Sequence, residues 1–146
     1  MEAIRHRVGI DAPQALVVAR LTTIEGLATW WTRDVTGDPS VGGTVVFSFG
    51  GPDRSATMAV VEVTEDRVVW RCTAGPDEWV GNPFSFELEQ TGDETVLRFT
   101  QQWREPVEFM FHCSTKWGYF LLSLKAALED GKGTPYPGEL QISGWG

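Results

Sequence analysis

The sequence predicts an α+β fold: a curved antiparallel sheet of six strands wrapped on one long C-terminal helix, with two short helices between the first and second strands. Three observations carry this. Between Thr44 and Trp103 apolar residues recur with period two in five short runs, each ended by turn residues. After Pro106 the period changes to about 3.6, with Met110, Cys113, Ser114, Trp117, Leu121, Leu124 and Leu128 on one stripe. Seven Trp, eight Phe and two Tyr make 12% of the 146 residues aromatic, more than a routine core requires, so both layers have large flat side chains to bury.

Taken in order, residues 2–10 alternate, with Ile4, His6, Val8 and Ile10 on one face, as in a half-buried strand. Asp11 is an acceptable N-cap and Pro13 suits a first helical turn, so a short helix is expected from Gln14 to Leu21. A second short helix is expected over Ile24 to Trp30. Thr36 to Gly43 reads as loop, its paired glycines easing entry into the next strand. The five strands that follow should point Val45, Phe47 and Phe49; Ala59, Val61 and Val63; Val68, Trp70 and Cys72; Phe84, Phe86 and Leu88; and Leu97, Phe99, Gln101 and Trp103 to one face. Glu62, Arg71, Glu87, Glu89, Arg98 and Gln102 lie on the other, where neighbouring strands can pair them by charge. Asp130-Gly131-Lys132-Gly133 ends the long helix, and Pro135 and Pro137 prevent its continuation.

Composition bounds the function. One domain, 1–146, is expected from the length and from the lack of repeats or a linker. Twelve Lys and Arg against 20 Asp and Glu give a net charge of −8, which opposes nucleic acid or an anionic membrane as a partner. Cys72 and Cys113 form neither a zinc spacing nor a disulfide framework, and no apolar run resembles a signal peptide or a membrane span. The expectation is a cytoplasmic protein with reduced thiols and no membrane insertion. No nucleophile elbow, P-loop or dinucleotide fingerprint occurs, no carboxylate falls on the predicted inner face, and two histidines without a carboxylate partner do not build a metal site. No catalytic constellation, cofactor or metal is therefore expected.

A helix lying across an aromatic sheet face leaves a cavity wherever the rings fail to interdigitate, and such cavities take small hydrophobic molecules. The candidate lining set is Trp30, Trp31, Phe47, Phe49, Trp70, Phe84, Phe86, Phe99, Gln101, Trp103, Trp117 and Leu121. Trp30 and Trp31 would form a lid and Trp117 the ceiling, while Gln101 would fix a ligand's polar end. Inward aromatics are more often core than binding site, so roughly half of Phe47, Phe49, Trp70, Phe84, Phe86, Phe99 and Trp103 is expected to be plain packing, and at least one of the two adjacent tryptophans to anchor the small helices. His6 could move a proton on a bound carbonyl or simply tie down a loop. Cys72 and Cys113 could face each other across the cavity, His112 and Lys116 are expected at the solvent edge of the helix, and Trp145 reads as an exposed aromatic.

The segments Thr22-Thr23-Ile24-Glu25-Gly26-Leu27, Trp30-Trp31, Gly42-Gly43, Trp79-Val80-Gly81 and the stretch from Trp117 through Leu121, Leu124 and Leu128 to Gly133-x-Pro135 resemble homologues of the C-terminal domain of the activator of heat-shock protein 90 ATPase, in the START-like (SRPBCC) helix-grip superfamily. The resemblance covers nearly the whole chain and implies the order β-α-α-β-β-β-β-β-α. It implies no single reaction, because the superfamily spans lipid and hormone binders, polyketide cyclases and co-chaperone domains. A small-molecule binding domain for a lipid, polyketide or aromatic metabolite is the leading expectation. A cyclase- or dehydratase-like enzyme using the same cavity is the alternative, followed by a stand-alone co-chaperone-like interaction domain. The co-chaperone's chaperone-engaging N-terminal domain has no counterpart in this sequence. The superfamily also allows a homodimer.

Overall fold

The computed structural model describes residues 2–146. The elements are β1 (Glu2–Ile10), α1 (Gln14–Thr22), α2 (Ile24–Leu27), β2 (Asp34–Gly37), β3 (Thr44–Ser48), a 3-10 turn at Pro52–Arg54, β4 (Ser55–Val63), β5 (Arg67–Ala74), β6 (Pro83–Thr91), β7 (Glu94–Trp103) and α3 (Glu108–Glu129). The strands form one antiparallel sheet in the order β1-β7-β6-β5-β4-β3-β2. From β2 to β7 each strand pairs with its sequence neighbour, and β1 then closes on β7, with Glu2 opposite Trp103 and Ile10 opposite Thr95. The helix α3 lies over the inner face, as an amphipathic helix facing an aromatic sheet must.

Four expectations are corrected. The sheet has seven strands, not six, because Asp34–Gly37, whose last two residues were expected in the loop, pairs with β3, Asp34 opposite Ser48 and Gly37 opposite Val45. Only Val35 of these four residues is buried, so β2 has no period-two signal and is created by its partner. In β4 the inward residues are Ala56, Met58 and Val60, whereas Val61 is exposed. The register shift between Val60 and Glu62, which leaves Val61 unpaired, carries the strand from one parity to the other, so that Val63 again packs on the core. At α1 the N-cap position is Pro13, with no side-chain cap. Asp11 instead gives its backbone N–H to Glu129 Oε2 at 2.7 Å, a carboxylate also held by Lys125 at 2.7 Å, and this ties the end of α3 to the end of β1. The second helix stops at Leu27, capped by Thr23 through the Gly26 N–H at 3.0 Å, and turn hydrogen bonds carry the chain on to Trp31.

The other four long strands point inward as their alternation predicts: Phe47, Trp70, Phe84, Phe86, Phe99 and Trp103 are all buried. On the outer face Arg98 meets Glu89 at 3.0 Å. The rings interlock. Trp31 stacks parallel to Trp70 at 6.0 Å, lies 4.4 Å from Phe47 and 4.9 Å from Trp117, and Trp117 lies 4.2 Å from Phe99. Trp30 packs beside Trp31 at 6.1 Å and donates its indole N–H to the Arg20 carbonyl at 2.9 Å, which fastens α1 and α2 to the sheet. The central space between helix and sheet is therefore filled. No helix among the described residues is long and apolar enough to cross a membrane.

Candidate functional site

A large free volume lies at one end of the sandwich. A cavity of about 680 Å³ opens between the N-terminal half of α3, the 3-10 turn with the first residues of β4, the β5–β6 loop and the chain that follows α3. That last segment has no helix or strand, and its placement comes from hydrogen bonds to its neighbours. Tyr136 donates its N–H to the Trp31 carbonyl at 2.9 Å and accepts from the Arg33 N–H at 3.1 Å. Thr134 N–H donates to Ser123 Oγ at 2.7 Å. Beyond Pro137 the tail folds back along α3, and Glu139, Gln141 and Gly144 to Gly146 become cavity wall.

Two side chains one turn apart on α3 hold the tail. Lys116 Nζ donates to Glu139 Oε2 at 3.2 Å, to the Leu140 carbonyl at 3.1 Å and to the Gly146 carbonyl at 3.2 Å, which uses all three of its N–H groups. His112 Nδ1 and Ser143 Oγ share a hydrogen bond of 2.8 Å, and Trp145 packs edge-on against both His112 and Phe109. Neither His112 nor Lys116 is a free solvent-edge residue. Both line the cavity, and only 13% of the Lys116 side chain is exposed. Burial, followed by the Lys116 charge, holds the His112 pKa below its ordinary value, which favours the neutral ring.

Of the residues predicted to line a cavity, Trp31, Phe49 and Trp117 line this one, and Trp103 borders a smaller pocket beside Arg104. Trp30, Phe47, Trp70, Phe84, Phe86, Phe99 and Leu121 lie in the filled core behind them, where their shape sets the wall's position. Trp103 is also in that core and packs on Phe109, and its indole N–H has no partner. Gln101 is fully buried with neither amide atom hydrogen-bonded. It sits opposite Phe84 in the sheet and not in the cavity wall. His6 stands between β1 and α3, with Nε2 donating to the Ser114 carbonyl at 3.0 Å, and is likewise outside the cavity. The two cysteines do not face each other across it. Cys113 lines the cavity, whereas Cys72 is in the core with its thiol on its neighbour Ala74 carbonyl at 3.3 Å. Burial raises both thiols, pushing Cys113 up to about 12. The Trp79 indole nitrogen stands close enough to oppose that rise slightly without forming a hydrogen bond.

Sequence reasoning overlooked Trp79, Phe109, Phe120, Tyr136 and Glu139, all in the wall. Phe120 follows Trp117 by three positions and Phe109 precedes Cys113 by four, so helical spacing contained their signal. Glu139 had none, since it lies in a segment without periodicity. It brings to the site a carboxylate whose side chain is only 4% exposed, where none was expected on the inner face. Among the described residues no group of three or more His, Cys, Asp and Glu is arranged to hold a metal ion.

A curved antiparallel sheet closed over a long C-terminal helix, with two short helices after the first strand and a cavity at the helix end, is the START-like (SRPBCC) helix-grip class. Within it the chain belongs to the family described as Activator of Hsp90 ATPase homolog 1-like protein, whose model matches residues 11–129. It is similar to an Aha1 dimer from Colwellia psychrerythraea solved in solution, with 43% identity and a TM-score of 0.82 over 91% of this chain and 100% of that one. It shares its fold with DynU16, a protein of the dynemicin biosynthetic locus, at 22% identity and a TM-score of 0.78 over 93% of this chain and 50% of that one. It also shares it with CalU16 from Micromonospora echinospora, at 17% identity and a TM-score of 0.77 over 97% and 75% of the two chains. No curated protein matches the chain.

Proposed function

We propose that this protein binds a small hydrophobic, largely aromatic molecule in the cavity at the N-terminal end of α3. The observation that carries the reading is the cavity itself: about 680 Å³, walled by Trp31, Phe49, Trp79, Phe109, Trp117 and Phe120 and backed by a rigid ring stack. Such a volume accepts a molecule of drug-like size, and flat walls favour a flat ligand. Binding is the leading reading because rings dominate the wall, His6 and Gln101 stand outside the cavity and Cys113 is held as a thiol, while the proton-handling side chains inside it, His112 and Glu139, are engaged by Ser143 and Lys116. The sheet and helix act as scaffold, and the tail supplies the movable side of the site. The 43% identical Colwellia protein was solved as a dimer, and the same assembly is proposed for this chain.

Native mass spectrometry of gently purified protein, repeated under denaturing conditions, tests both points. The expected result is a mass of two chains carrying a stoichiometric small-molecule adduct that is lost on unfolding. A bare mass that stays bare after incubation with a panel of polycyclic aromatic compounds would sink the binding proposal, and a one-chain mass at micromolar concentration would sink the dimer.

A further inference from the structure

We infer that the cavity selects a ligand carrying a hydrogen-bond donor, a phenolic hydroxyl or its equivalent, and that Glu139 is the residue that selects it. The inference rests on the cavity being a binding site and adds the chemistry of what it takes.

Two residues of the wall each carry a buried polar atom that has no hydrogen-bond partner. Glu139 Oε1 is a buried acceptor with no hydrogen bond, although the Oε2 of the same carboxylate is taken by Lys116 at 3.2 Å. Trp79 Nε1 is a buried donor with none, beside Cys113 on the previous turn of α3. A carboxylate oxygen withdrawn from water and left unpaired is unfavourable, and Lys116 cannot relieve it because its other two N–H groups are spent on the Leu140 and Gly146 carbonyls. A ligand hydroxyl can give its proton to the carboxylate oxygen and accept from an indole N–H. An ether or ketone can answer only the indole. The tail bearing Glu139 buries no large apolar side chain of its own, Leu140 and Trp145 being exposed, so the carboxylate can turn towards an arriving donor without disturbing the core.

The pair 2-naphthol and 2-methoxynaphthalene isolates this contact, since both offer the same rings and only the first can donate. Calorimetric titration should give roughly tenfold tighter binding of 2-naphthol to the wild-type protein, the scale of one hydrogen bond to a charged acceptor. In Glu139→Gln, which keeps the side-chain volume and leaves Lys116 its two carbonyl acceptors, that preference should disappear. Equal binding of the two probes to the wild type, or a preference that survives in Glu139→Gln, overturns the role of Glu139 while leaving the cavity a binding site. Binding of neither probe up to its solubility limit overturns both readings. The wild-type comparison stands even if the variant folds poorly.

Discussion

His112 is the residue whose chemistry the cavity alters in the physiological range. Its ring is partly withdrawn from water and faces the Lys116 ammonium, Ser143 Oγ and the rings of Phe109 and Trp145, so the charged form is disfavoured and the native pKa falls below 6.5. The unfolded chain therefore binds the proton first as pH falls, and linkage makes the native state lose stability as pH drops through about 6.5. Asp38 and Glu129, whose pKa values are lowered by hydrogen bonds from Ser40 and Asp11 respectively, lose their contributions only at lower pH. Urea unfolding should thus give a lower midpoint at pH 5.5 than at pH 7.5, and His112→Asn should flatten the difference. A slope unchanged in the variant would assign the effect elsewhere.

Among the elements, the tail from Gly138 to Gly146 behaves differently from the rest. It is held by Lys116, His112 and the edge of Trp145, and it forms cavity wall without joining the core. Removing the ammonium leaves the Glu139 carboxylate without the cation it pairs with, which would cost several kcal/mol in a structure that could not relax. The tail can relax by swinging into water, because no buried strand or helix pairing opposes it. Lys116→Met should therefore abolish hydrogen-exchange protection in residues 139–146 while shifting the global unfolding midpoint little. A large fall in the midpoint with the tail still protected would show that the tail is integral to the core.

At the scale of the whole molecule, one aromatic cluster joins every layer. Trp31 touches rings from β3, β5 and α3 and neighbours Trp30, which holds α1. Truncating it removes a ring that is both core and cavity wall. Trp31→Ala should cost about 3–5 kcal/mol of stability and lower ligand affinity together, as read by denaturant unfolding and by titration. A variant that keeps its stability would mean that the stack tolerates a void.

Much of this was legible in the sequence because it is repeated along the chain. Period-two alternation in β3, β5, β6 and β7 fixed which aromatics point inward, and the 3.6 period of α3 fixed the face that meets them. The fold class followed from the order of these elements, and the family from the resemblance carried by segments such as Trp30-Trp31 and Trp79-Val80-Gly81. The parity of β4 was not legible because bulges reset it, and β2 was not because four residues with one buried side chain have no period.

The site was legible only in part, for a related reason. Local pattern tells which side chains turn inward, and by itself it determined an aromatic interior gripped by a helix. Whether inward rings fill their space or leave it open depends on how facing residues interlock, and only the tertiary structure decided that the centre is packed and the void lies at one end. The same holds for Glu139 and for the pairing of Lys116 and His112 with the tail. Their partners lie over 20 positions away through a segment without periodicity, so three-dimensional chain return, not local sequence, brings the charge to the cavity.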